Sequence, residues 1–189
     1  MDTPGDLAEL ARAVEHRFRD EGLLAAAVTH PSMTGLERTG PAAATTYERL
    51  EFLGDRVLGL VVAHWLLERY PAEREGDLAK RHAGLVRREA LSRVAQAIDL
   101  GRRLRLAPGE AEGGGRSNHT ILADACEAVI GALYLDGGLE VASRFIRARW
   151  APLLDDVGAP PLESKTALQE WAQARGLPLP VYETLSQSG

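Results

Sequence analysis

The chain has 189 residues, 45% of them apolar but only 5% aromatic, which allows one good-sized domain with a core of Leu, Val and Ala and favours helices over sheets. A single cysteine, Cys126, excludes an intrachain disulfide and a cysteine zinc site and is expected to pack as a small hydrophobe; no apolar run is long enough to span a membrane. The first residues, Met1 to Asp6, lack the basic and apolar regions of a signal peptide, so a cytoplasmic protein is expected, and the net charge of −5 argues, as a total, against nucleic acid.

Leu7 to Phe18 has the spacing of an amphipathic helix, and Asp20 is placed to cap a second one through Val28. Residues 31–46, rich in Pro, Gly, Thr and Ala, read as a loop. A long helix is expected from about Tyr47 to Arg69, stopped by Pro71. Asp77 is expected to cap a helix through Val86, and another runs from about Arg88 to Ile98. Gly101 to Asn118 reads as a long connection around Gly113-Gly114-Gly115. A helix over about Thr120 to Leu135 is closed by Asp136-Gly137-Gly138, and another follows from Leu139 to about Leu154. After a Pro- and Gly-bearing stretch, Ser164 to Arg175 reads as a final helix. Between Arg74 and Arg105 nine Lys or Arg face four Asp or Glu, so local positive charge is available for phosphates whatever the total. A solvated helix face is the alternative for each of these cations.

Two helices carry acids in an apolar setting. Glu48, Glu51 and Asp55 are spaced i, i+3, i+7 and fall within an arc of about 60°. The next residues, Val57 to Ala63, are apolar on every side, as in a buried helix. Asp124 and Glu127 repeat the i, i+3 spacing on a second apolar helix, and Gly131 shares their face, where it would admit a close backbone. Buried carboxylates are costly unless a cation compensates them, and hard ions such as Mg²⁺ and Mn²⁺ prefer carboxylate oxygens. The core stripe of the first acidic helix is expected to be Leu50, Leu53, Val57, Leu60 and Val61. Phe52 points nearly opposite, beside the acids, and should be covered, on the plainest reading by a neighbouring loop of its own chain. His64 falls on the core side as a satisfied core histidine.

The block Glu48-Arg-Leu-Glu-Phe-Leu-Gly-Asp55, followed by Ile121 to Asp136, resembles bacterial ribonuclease III, the endonuclease of double-stranded RNA. The likeness extends to Ala27 to Ser32, Glu75 to Leu78 and Leu106 to Glu110, in the expected order. It implies an all-α ribonuclease III endonuclease domain over 6–157 (motif-bearing part 6–138), a linker at 158–163, and an incomplete α/β double-stranded-RNA-binding domain over 164–189. Ser164 to Arg175 and Leu177 to Glu183 resemble that second domain's opening helix and first strand, and the rest of it is missing before Gly189.

The resemblance further implies a Mg²⁺-dependent enzyme, with Mn²⁺ as a substitute, that hydrolyses phosphodiester bonds to 5′-phosphate and 3′-hydroxyl ends in ribosomal precursor and structured messenger RNA. Glu51, Asp55, Asp124 and Glu127 match its metal-binding core, with Asp55 reaching metal directly or through water. Asp55 and Glu127 match the residues tied most closely to catalysis. Glu48 and Glu75 match supporting acids, though Glu75 also suits a helix start; Arg87 and Arg88 are candidate RNA contacts. His30, in Thr29-His30-Pro31-Ser32, is expected to form structural hydrogen bonds, and Phe52 is expected to insert into the partner of a homodimer. Two other readings are a non-catalytic member that only binds structured RNA, against which the six acids argue, and a small nuclease without an RNA-binding domain, against which the segment after Pro161 argues.

Overall fold

The computed structural model describes residues 5–33, 46–156, 164–173 and 175–180. The expected linker at 158–163, most of the loop at 31–46 and the expected strand beyond Pro180 lie outside them. The chain divides into two compact units, 1–157 and 158–189.

Helices build the first unit: α1 Gly5–Ala13, α2 Glu21–Ala27, α3 Tyr47–Arg69, α4 Glu75–Val86, α5 Arg88–Ala97, α6 Leu100–Arg103, α7 Pro108–Glu112 and α8 His119–Asp156. The only pairing between extended segments among the described residues is an isolated parallel bridge, Thr29 to Arg105. The described residues of this unit are all-α, as the resemblance implies and as a composition favouring helices allows. In the second unit, α9 Ser164–Gln173 is followed by a turn at Gly176 (φ 66°). Leu177 to Pro180, expected to begin a strand, are irregular.

α3 and α8 form the centre. α3 begins where Thr46 accepts a hydrogen bond from the Arg49 N–H and ends at Tyr70, one residue before Pro71. Asn118 starts α8 by accepting from the N–H groups of Thr120 (2.9 Å) and Ile121 (3.4 Å). Ala125, Cys126, Ala128, Val129, Ile130, Ala132 and Leu133 are wholly buried. Burial, then the charge of Glu127, pushes the Cys126 thiol far above its ordinary value, so it packs as a neutral apolar group. The expected stop falls at Gly138, whose φ of 76° breaks the helical path within α8. Just before it, the buried Asp136 carboxylate accepts from the N–H groups of Asp20 (2.9 Å) and Arg19 (3.1 Å) and meets His16 at 2.7 Å. Those contacts fasten the start of α2 to the break.

Several expectations need correcting. α1 ends at Ala13, five residues before Phe18, because Glu15 takes a left-handed φ of 56° and turns the chain. Arg74, not Asp77, is the residue before α4, and Asp77 lies inside its first turn. The connection 101–118 is not a plain loop: it holds α6, α7 and a 3₁₀ turn, gathered by Arg116, whose guanidinium donates to the carbonyls of Gly101, Arg102 and Leu104. Leu60 is not a core residue, and His64 is exposed, 3.4 Å from Glu68. α3 therefore covers one face only. Its outer side presents Phe52, Leu60 and Leu67, which are 65%, 58% and 59% exposed.

The α3–α8 contact is backbone on backbone. A methyl group at Gly54 would collide with the Glu127 carbonyl, and one at Gly131 with the Leu50 carbonyl. Gly→Ala inside a helix ordinarily gains about 1 kcal/mol. At Gly131 the neighbour is main chain and cannot rotate away, so Gly131→Ala is expected to lose about 2 kcal/mol in urea unfolding. Gly84→Ala in α4, where nothing lies within 4 Å, should gain instead. Equal shifts for the two variants would contradict the close approach.

Candidate metal centre

Glu51 projects from the second turn of α3, and Asp124 and Glu127 from consecutive turns of α8. Their nearest carboxylate oxygens all lie within 4.8 Å of one another. The two glycine contacts cause this: Gly54 against Glu127 and Gly131 against Leu50 hold the helices at main-chain distance, so acids flanking that contact share one space. All three are half-buried, and among the described residues none is hydrogen-bonded or salt-bridged to a cation.

The electrostatics follow from burial first and then from crowding. Burial, then Asp124 and Glu51, raises the Glu127 carboxyl to about 7, with Arg56 and Arg88 acting the other way. Burial, then Asp124 and Glu48, raises Glu51. Burial raises Asp124 against the opposing charges of Arg88 and His30. Beneath them, Tyr47 is pushed well above its ordinary value by burial and then by Asp124, Glu51 and Glu127. Arg56 and Arg88 act on these acids through their charge without an ion pair to any of the three among the described residues. Oxygen-only donors, closely spaced and short of a counter-charge, fit a hard divalent cation.

The other expected site residues are placed separately. Asp55 lies one turn beyond Glu51, outside the group of three, and its carboxylate pairs with Arg56. Glu48 is exposed at the start of α3 and acts on Glu51 through its charge. Glu75 is exposed in the first turn of α4. Arg87 and Arg88 sit exposed at the α4–α5 corner, with Arg87 3.7 Å from Glu89. The basic stretch as a whole does not form one surface. Arg81 is buried and bound to Glu73 at 2.7 Å beneath Tyr70, and Arg103 bonds the carbonyls of Ile98 and Asp99 and meets Glu9 at 3.4 Å. His30 has the expected structural role: its Nδ1 accepts from the Ser32 N–H at 3.1 Å, and its ring meets Tyr47 edge-on at 5.8 Å.

Sequence reasoning missed Tyr47 and Arg56. Tyr47 sits four residues before Glu51, on its face, and that spacing was the available signal. Arg56 directly follows an acid, and adjacent helical residues do not ordinarily face each other, so nothing pointed to it. A cavity of about 750 Å³ between α1 and α2, lined by Leu7, Ala11, Phe18 and Leu24, lies apart from the acids.

The comparisons agree on what kind of chain this is. A family profile described as ribonuclease-III-like matches residues 20–154. The chain is 47% identical to Ribonuclease 3 of Azorhizobium caulinodans over all of its own length and 79% of that relative. The chain belongs to the ribonuclease III family. It is 44% identical to Ribonuclease 3 of Rhodopseudomonas palustris over 96% of its length, and spans 65% of that relative. Its fold matches the nuclease domain of ribonuclease III from Campylobacter jejuni with a TM-score of 0.69 and 35% identity, over 77% of this chain and 99% of that one. As a ribonuclease III family member the chain is an endoribonuclease, and the acid cluster lies within the matched region.

The raised Glu127 carboxyl has a consequence for stability. A carboxyl raised in the folded state favours folding while it is protonated. That contribution is present below its ordinary value of 4.5 and is lost as pH rises to about 7. In chelator, the unfolding midpoint of the parent should fall across this window. Glu127→Gln, which cannot ionise, should show a flatter profile and be the more stable at pH 8. Parallel profiles would contradict a Glu127 held raised by burial and its neighbours.

Proposed function

We propose that the chain is a Mg²⁺-dependent endonuclease of double-stranded RNA, with Mn²⁺ able to substitute, and that it works as a homodimer. The observation that carries this is the convergence of Glu51, Asp124 and Glu127 within 4.8 Å in a ribonuclease III family chain. These three would hold the ion, and Asp55, one turn along α3, would complete the set directly or through water. When bound, a divalent ion would lower the pKa of a bound water and offset charge on the phosphodiester. Asp55 and Glu127 would be the residues closest to the chemistry, and Glu48 and Glu75 would support the substrate side. Arg87 and Arg88, on the exposed α4–α5 corner, contact the phosphate backbone, which makes binding steeply salt-dependent. The products carry 5′-phosphate and 3′-hydroxyl ends. Ribosomal precursor and structured messenger RNA in the cytoplasm are the substrates in this reading, and residues 164–189 begin a double-stranded-RNA-binding domain after a linker at 158–163.

The apolar outer face of α3 supports the dimer. A patch of Phe52, Leu60 and Leu67 is larger than a lone surface hydrophobe and calls for a covering surface. The Campylobacter jejuni nuclease domain has a region involved in dimer formation. A two-fold axis near Phe52 would set two acid clusters side by side, one for each strand.

Two tests follow. Glu127→Gln keeps the side chain's shape but removes a charge that holds the ion, so cleavage of long double-stranded RNA in Mg²⁺ should fall by about 100-fold or more, with RNA binding largely kept. Near-normal cleavage at saturating Mg²⁺ would refute the role of Glu127. Phe52→Ala should weaken dimer association by about 3 kcal/mol, the scale of a buried Phe truncation, so that light scattering finds monomer where the parent is dimeric. A monomeric parent, or an unaltered variant dimer, would refute the interface.

A further inference from the structure

Arg56 makes two contacts on α3 and acts on the acid cluster through its charge. Its guanidinium is ion-paired with the Asp55 carboxylate of the preceding residue. It lies over the Phe52 ring, one turn back on α3, at 5.1 Å. Its charge also reaches across to α8, where it opposes the rise of Glu127. An extended arginine at this position would point into solvent, since neighbouring helical residues diverge by about 100°. Here the side chain folds back towards the acids and the ring holds its flat face. The pair is open to solvent, with Arg56 65% and Asp55 41% exposed, so it is held weakly and can be exchanged.

We propose that Arg56 is a resident counter-ion of the acid site: it occupies Asp55 while no divalent ion is bound, competes with that ion for Asp55, and is displaced when it binds. This rests on the reading of Glu51, Asp124 and Glu127 as the metal centre. It accounts for Asp55 standing outside the group of three: the residue is engaged by a cation of the chain's own. The displaced guanidinium would remain at the mouth of the site, tethered to α3 one residue from Asp55, where it suits a phosphate oxygen of the substrate. Arg56 would then be a positioning residue, exchanging one anionic partner for another as ion and RNA arrive. Arg88, whose charge acts on both Asp124 and Glu127, projects from α5, and among the described residues Asp55 is ion-paired with Arg56 and not with Arg88.

The experiment is a Mn²⁺ titration without RNA, following free Mn²⁺ by electron paramagnetic resonance, on the parent, Arg56→Gln, Arg56→Lys and Glu127→Gln. Arg56→Gln should bind Mn²⁺ about five-fold more tightly at low salt, and Arg56→Lys close to the parent, because the competition is one of charge. The gain should shrink in 1 M salt, where the screening length is about 3 Å. In cleavage assays Arg56→Gln should need less Mg²⁺ for half-maximal rate but show a raised KM for RNA. In the parent, the Arg56 side-chain Nε resonance should shift as Mg²⁺ is added, a measurement that needs no variant. Equal Mn²⁺ affinity for parent and Arg56→Gln, or an unmoved Nε resonance, would overturn the proposal. Glu127→Gln separates the two readings. If it abolishes Mn²⁺ binding while Arg56→Gln matches the parent, only the role of Arg56 falls. If it binds as the parent does, the metal centre itself falls.

Discussion

The main-chain contact between α3 and α8 governs the rest of this molecule. Gly54 lies against the Glu127 carbonyl and Gly131 against the Leu50 carbonyl, so the two helices meet without side chains between them. Any pair of ordinary residues there would separate the helices by the thickness of a side chain. The acids would then be too far apart to share an ion. The same contact imposes an electrostatic cost. Burial raises all three carboxyls, Asp124 adds to the rise of Glu51, and Asp124 and Glu51 add to that of Glu127, which is pushed up to about 7. The closeness that costs the ion-free protein stability is what a divalent cation would exploit.

Around that contact the fold is support. The buried side of α8 fills the centre, and its end is fixed where the Trp150 indole N–H donates to the Leu85 carbonyl at 2.8 Å. The bridge between Thr29 and Arg105 brings His30 beside Tyr47, whose hydroxyl faces the Ile121 carbonyl at 3.4 Å on the turn before Asp124. The bidentate Arg81–Glu73 pair fixes the corner that leads into α4. The first two tie segments remote in sequence to the acidic helices, and the Arg81–Glu73 pair is a local brace within the corner. On the outer face of α3, Phe52, Leu60 and Leu67 are exposed among the described residues.

Much of this was legible in sequence because it is written in local spacing. The bounds of α3, the break near Gly138 and the sharing of a face by Asp124, Glu127 and Gly131 follow from helical periodicity and breakers. What spacing does not encode is which side of an apolar helix finds a neighbour. Val57 to Ala63 are apolar on every side, so Leu60 and the neighbouring His64 read as core although they face outward. Gly54 lay within the most informative block, yet its closeness to Glu127 depends on a partner 73 positions away. Arg116, which organises the 101–118 connection, bonds carbonyls, and carbonyls leave no residue-type signature. The pairing of Asp55 with Arg56 is a side-chain conformation, which helical spacing alone disfavours.

The central claim is that Glu51, Asp124 and Glu127 hold one divalent ion between α3 and α8. Anomalous diffraction from crystals soaked in Mn²⁺ tests it directly. The account predicts one strong peak between the helices, with an oxygen of each of the three carboxylates at about 2.1 Å, the distance hard divalent ions of this size adopt. A peak held by fewer than two of these residues, or Mn²⁺ bound only elsewhere on the surface, would contradict it.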